Sequence, residues 1–203
     1  MARMTVIGLL ATCVAAATDT IIFERHFPGA VPERFEVRLA QDGSATYAEA
    51  DGEVLELSLG ESAVGPLFEQ AESLGFFTEP LASNRRVAST GKKTLRYESG
   101  GQVRGEVRFD YSESREAREL TSWFVRLAET QQHLRELERT YRFDRLGVNK
   151  AVVSLQEAYE RERIAVPGLL VPILTKIAGQ DRIVHVARAR AEGLLERIRA
   201  SER

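Results

Sequence analysis

Phe35-Glu36-Val37-Arg38-Leu39, Asp42-Gly43 and Ala45-Thr46-Tyr47 follow one another with scarcely a residue between them. Apolar and charged residues alternate with a period of two, the spacing of a strand with one buried and one wet face. Asp-Gly between two such runs is the strongest short signal for a hairpin, because glycine adopts the positive φ that the tight turn demands. An antiparallel hairpin is therefore the seed of the fold.

Working outward, Thr20-Ile21-Ile22-Phe23-Glu24-Arg25-His26 is rich in β-branched and aromatic residues and stops at Pro28-Gly29 and Pro32. After Asp51-Gly52, Leu55, Leu57 and Leu59 alternate with Glu56 and Ser58 and extend the hairpin into a meander. The period then changes. Val64, Leu67, Phe68, Ala71 and Leu74 recur at helical spacing, with Pro66 expected in the first turn, Gly75 at the C-terminal cap and Phe76-Phe77 pinning the helix to the sheet. Residues 79–91 read as a long loop. Leu95 and Tyr97, the Gly100-Gly101 turn, and Val103, Val107, Phe109 and Tyr111 predict a second hairpin.

The stretch from Ile22-x-Glu24-Arg25 through Gly29 and Pro32, Asp42-Gly43 and Tyr47, and Gly75-Phe76-Phe77 to Trp123 resembles an uncharacterised family of exported bacterial α+β domains. The resemblance covers about half the chain. Where the family has two cysteines in the turn, Phe27 and Val31 stand here, an apolar pair able to fill the turn without a disulfide. It implies a fold and brings no known activity.

Beyond Ser112 and Ser114, either of which can cap a helix, Leu120, Trp123, Phe124, Leu127, Leu134, Leu137 and Tyr141 form one stripe. A helix of about 25 residues would be about 38 Å long, longer than the sheet, so its second half is expected to enter a helical unit. Val152, Val153, Leu155, Ala158 and Tyr159 predict a further helix, broken at Pro167-Gly168. Leu170, Ile173, Leu174 and Ile177 predict another, with Pro172 near its start. Gly179, then Asp181 as a cap, then Val184, Ala187, Ala191, Leu194, Leu195 and Ile198 inside the last helix resemble a HEAT-type repeat hairpin. One convincing repeat unit and one partial one favour a helical cap over a true solenoid, which needs three or more. The fold class is α+β: an antiparallel sheet with one packed helix over 18–129, then a helical region over 130–203.

Residues 1–17 carry Arg3, an apolar run from Met4 to Val14 and Ala15-Ala16-Ala17, the layout of an export signal with a small-residue cleavage site. The protein is thus expected outside the cytoplasm, periplasmic or secreted. Leu10-Ala11-Thr12-Cys13 resembles a bacterial lipobox, which would make Cys13 a lipid-anchored N-terminus, but Thr12 departs from the Gly, Ala or Ser usual before that cysteine. Cleavage after Ala17 instead leaves a mature chain with no cysteine, hence no disulfide and no thiolate chemistry.

The 203 residues are ordinary in composition, 43% hydrophobic and 29% charged, which excludes wholesale disorder. Net charge is −2, but Thr18–Ser114 holds 10 basic and 17 acidic residues and Arg115–Arg203 holds 17 basic and 13 acidic. That surplus in the second half is too small and dispersed for nucleic acid. The three histidines, His26, His133 and His185, lie on different elements without metal-ligand spacing. Ser89-Thr90-Gly91-Lys92-Lys93-Thr94 is not a phosphate loop: Arg86 occupies the first glycine position, Lys93 replaces the hydroxyl residue and a strand follows. No cofactor is implied.

The leading reading is an exported, non-catalytic interaction module with a protein partner in the cell envelope. Arg85 and Arg86 in the loop, with Lys92 and Lys93, are its expected docking edge. Glu24 and Arg25 are further binding candidates, beside a Pro-Gly turn and expected to form a strand-end ion pair. The alternatives are a hydrolase-type enzyme whose carboxylates converge only in the fold, and a HEAT-like scaffold gripping a partner between its last helices.

Overall fold

The computed structural model of the protein describes residues 18–50 and 52–201. The expected export signal over residues 1–17, with Cys13, lies outside the described residues.

Six strands, β1 (Thr20–His26), β2 (Arg34–Ala40), β3 (Ser44–Glu49), β4 (Leu55–Ser58), β5 (Lys92–Ser99) and β6 (Gln102–Phe109), form one sheet in the order β4-β3-β2-β1-β5-β6. Every pairing is antiparallel. The chain builds the β1–β4 meander outward and then returns with β5 to the free edge of β1, so the first strand ends up central. At the β2–β3 turn Gly43 has φ 86°, and its carbonyl accepts from Leu59 N–H at 2.8 Å. A Cβ there would stand 2.3 Å from the Leu59 carbonyl oxygen, so the glycine serves both the turn and the approach of the segment leading into the first helix.

One face of the sheet is covered. α1 (Glu61–Ser73) buries Val64, Leu67, Phe68 and Ala71 against it. Pro66 lies in the second turn of this helix, not the first as expected. The Gly75-Phe76-Phe77 turn that follows is left-handed at all three residues (φ 59°, 50° and 65°). Phe77 is fully buried, Phe76 stacks on Tyr97 at 4.4 Å, and Gly105 of β6 supplies the notch on which the turn rests. A Cβ at Gly105 would lie 2.1 Å from the Phe76 carbonyl oxygen.

α2 (Arg115–Phe143) is capped by Ser114, whose hydroxyl accepts from Ala117 N–H at 3.1 Å. Its first half lies on the sheet, with Phe124 stacked on Phe23 at 5.0 Å. Trp123, read as a central core residue, is only half-buried and meets Phe124 edge-on at 5.2 Å. Leu120, Phe124 and Leu127 hold the axis of the stripe at i, i+4 and i+7, and Trp123 sits one helical step to its side.

The second half of α2 belongs to another core, built with α3 (Val148–Glu160), α4 (Val171–Ala178) and α5 (His185–Ser201). α3 ends at Glu160, ahead of Pro167-Gly168, which instead open a 3₁₀ turn leading into α4. Fully buried Ala187 and Ala191 let α4 and α5 approach closely. Two details of the last helix differ from expectation. Asp181 precedes it by several residues and binds Arg188 (2.8 Å) instead of capping, and Val184 is 44% exposed while Ile183 is buried.

The 161–170 segment ties the two cores. Ala165, Val166 and Leu169 pack into the first core and Ile164 and Leu170 into the second. Fully buried Thr130 on α2 accepts from Ala165 N–H at 3.1 Å and lies 2.8 Å from the carbonyls of both Ala165 and Arg126, to one of which it donates. Arg163 pairs with Glu129 (3.1 Å), and Arg135 of α2 pairs with Glu49 of β3 (3.1 Å) over the Tyr47 ring.

Candidate functional site

No helix among the described residues lies over the second face of the sheet. The alternation that buries Ile21, Phe23, Val37, Leu39, Leu95 and Tyr97 turns Glu24, His26, Arg34, Glu36, Arg38, Lys92, Thr94, Arg96, Glu98, Glu106 and Arg108 outward. Ile22 also points this way yet is 3% exposed, because its cross-strand neighbours Arg38 and Arg96 flank it. Ion pairs run between the strands, Arg38–Glu98 (2.8 Å), Arg34–Glu24 (2.6 Å) and Arg96–Glu106 (2.7 Å), and along β6, Arg108–Glu106 (2.8 Å). Glu106 sits between two guanidiniums, and its hydrogen bond from Arg96 holds its carboxyl below the usual range.

The face is not uniform. At the β2–β4 end a shallow hollow is lined by Thr20, Ser44, Thr46 and Ala40 with Arg38 and Glu56. At the other end a groove of about 590 Å³ runs between His26, Arg34, Lys92, Thr94, Arg96 and Arg108, with Glu24 and Asp110 as its carboxylates. Arg34 and Arg108 are 58% and 74% exposed despite their pairs, and Lys92 is exposed. This end gathers cations.

The expected docking edge is divided by the sheet. Lys92 faces the open groove. Lys93, its neighbour, shares the covered face with Leu95 and Tyr97 and is 8% exposed. Its ammonium donates to Thr90 Oγ1 (2.7 Å), the Gly91 carbonyl (3.1 Å) and the Asp110 carbonyl (2.6 Å), so it fastens the end of the loop. Burial lowers its pKa. The 79–91 loop is likewise pinned: Ser83 N–H donates to the Tyr111 carbonyl (2.9 Å), its hydroxyl to Glu113 (2.7 Å), and Thr90 N–H to Asp110 (2.8 Å). Arg85 pairs with that same Glu113 (3.3 Å), and Arg86 is exposed.

Glu24 and Arg25 do not pair with each other, because consecutive strand residues point to opposite faces. Glu24 takes Arg34 as its partner. Arg25 turns to the covered face at the end of the sheet, its guanidinium 5.1 Å from the Phe27 ring centroid and its pKa lowered by burial. Val31 is 86% exposed, so it does not join Phe27 in filling the turn.

For acid–base chemistry the carboxylates matter most. Asp19, Asp42, Glu49, Glu106, Asp110, Glu116, Glu136 and Glu160 all have lowered pKa values, through hydrogen bonds from neighbouring hydroxyl, amide or guanidinium groups. A general acid needs a shift in the opposite direction. Tyr97 is pushed up to about 12 by burial and by its hydrogen bond to Asp19, away from any role as a base near neutrality. His133 lies with Glu129, Glu136, Glu157 and Ser154 along a polar crevice between α2 and α3, and burial lowers its pKa. Among the described residues no group of three or more His, Cys, Asp or Glu is arranged to hold a metal ion, and no helix is long and apolar enough to cross a membrane. The chain matches no protein-family model, no curated protein and no solved structure.

Proposed function

We propose that the protein is an exported, non-catalytic interaction module that holds an acidic segment of an envelope protein in the groove at the cationic end of its open sheet face. The observation that carries this reading is the groove itself: His26, Arg34, Lys92, Lys93, Arg96 and Arg108 line it against two carboxylates, Glu24 and Asp110. A rigid sheet with fixed side-chain spacing offers an extended acidic peptide a ladder of cations. Arg34, Lys92 and Arg108 reach water without burying themselves, so an incoming carboxylate meets little desolvation cost.

The enzyme alternative draws no support from the downward carboxylate shifts. The scaffold alternative needs an open apolar strip between the last helices, whereas Ile173, Leu174 and Ile177 of α4 and Ala187, Ala191 and Leu194 of α5 are buried in their own core. Export rests on the Arg3 to Ala17 pattern.

The test is the affinity of a fluorescent Glu-rich hexapeptide for the protein and for the double variant Lys92→Glu with Arg108→Glu. Binding should weaken roughly tenfold or more on reversal, and wild-type affinity should fall as salt shortens the screening length. Salt-independent binding, or binding indifferent to the reversal, contradicts the reading.

A further inference from the structure

The covered face of the sheet ends in an electrostatic anomaly. Arg25 of β1 and Lys93 of β5 stand directly opposite each other across the strands, between Phe35 on one side and Phe109 on the other. Like charges in direct cross-strand register repel, and here both lie on the apolar side of the sheet beneath α2. Neither forms an ion pair, and only the nearby Asp110 carboxylate offsets the Lys93 charge in part. Lys93 donates only to a hydroxyl and to backbone carbonyls. Arg25 stacks on Phe27, and its Nε is buried with no hydrogen-bond partner. Burial lowers the pKa of both groups, and the Arg25 charge lowers that of Lys93 further. Lys93 is buried and Arg25 half-buried with its Nε out of water, and charges so placed are ordinarily paired, so the arrangement costs stability that an added anion would offset.

Next to the pair is a crevice of about 320 Å³ between the sheet end and the first turns of α2, lined by Arg25, Lys93, Phe109, Tyr111, Thr121 and Val125. Nearby Arg118 is already engaged, donating to the carbonyls of Ser112 (3.0 Å) and Glu113 (2.6 Å). With Lys93 also satisfied, Arg25 is the donor left over. Asp110, also on the lining, carries a negative charge held by Ser89 and Thr90, which disfavours a dianion such as phosphate. One guanidinium, one neighbouring ammonium and aromatic and aliphatic walls suit a single negative charge on an apolar body.

We propose that this crevice is a binding site for a small monocarboxylate with a compact apolar or aromatic body, its carboxylate on Arg25 and its body against Phe109, Tyr111 and Val125. The crevice shares Lys93, Phe109 and Asp110 with the end of the open groove, whereas Arg25, Tyr111 and Val125 line only the crevice.

Phenylacetate is the probe, titrated into isotopically labelled protein and followed by amide chemical shifts, with benzyl alcohol and inorganic phosphate in parallel. Saturable shifts should appear at residues 25–27, 90–93, 109–112 and 118–125, with a dissociation constant on the order of a millimolar. Arg25→Gln should weaken binding at least about tenfold, the worth of one charge-assisted hydrogen bond. Arg25→Lys should restore part of it, and Val125→Trp should block the crevice with Arg25 in place. If Arg25→Gln does not give a folded spectrum, Val125→Trp decides alone. The proposal is overturned if phenylacetate gives no shifts at roughly 20 mM, if folded variants bind as the wild type does, or if benzyl alcohol or phosphate binds equally well.

Discussion

The sheet half and the helical half solve burial differently. The first core is rich in aromatics: Phe23, Phe35, Tyr47 and Phe124 pack ring against ring, with Phe77 in the same cluster. The second core is aliphatic: Leu, Ile and Val interlock around Ala151, Ala187 and Ala191, small enough for helices to close on one another. The consequence reaches function. A bundle uses up its apolar stripes on itself, whereas a sheet covered on one side leaves a second ordered face free, and here that face carries the charge.

The comparison breaks first at its largest side chains. Phe124→Ala removes a fully buried ring stacked on Phe23 and should cost about 3–5 kcal/mol, and Leu174→Ala in the other core about 2–5 kcal/mol, both read from urea melts. If one variant produces two separated transitions, the halves unfold independently. A single shifted transition means the junction couples them.

That junction gives the next effect. Thr130→Val keeps the shape but leaves Ala165 N–H without its acceptor in a buried site, an expected loss of about 1–3 kcal/mol. Near it, Gln131 is fully buried with neither amide atom hydrogen-bonded, so Gln131→Met should raise stability by about 1 kcal/mol. A loss of stability in the same melts would show that the amide has a partner.

The smallest effect is electrostatic. Glu49 accepts from Arg135 and Tyr47, and although burial opposes it, these partners lower its pKa. A depressed folded value contributes stability that is full above the usual glutamate range and is lost as pH falls through the folded value. Because the pair is partly exposed, Glu49→Gln should cost under about 1 kcal/mol near neutrality, and the difference from wild type should shrink in acid. A difference that persists unchanged at low pH would refute the assignment.

Local signals carried most of the fold. Asp42-Gly43 marks the hairpin because glycine reaches the required φ, and Ser114 caps α2 through an ordinary side-chain hydrogen bond. The return of β5 to the edge of β1 has no local signal, since pairing across some seventy positions is decided by burial of the whole sheet. The end of α3 was hidden for another reason: Glu162 takes φ 56°, a place where glycine is expected. The candidate site was half legible. Lys93, Leu95 and Tyr97 share a period of two, as do Ile21, Phe23 and Arg25, so the inward turn of both cations was present in the alternation but masked by their charge. The cationic groove was not legible, because it joins the ends of β1, β2, β5 and β6. Trp123 misled by its size: i, i+4, i+7 spacing puts Phe124 and not its neighbour at the centre.

The central claim is that recognition resides on the open face of the sheet half and not on the helices. Amide hydrogen exchange with and without the Glu-rich hexapeptide tests it most directly. The account predicts added protection confined to residues 24–26, 34–38, 92–96 and 104–108, with the 148–201 helices unchanged. Protection concentrated in α3, α4 and α5 with the sheet indifferent would contradict it.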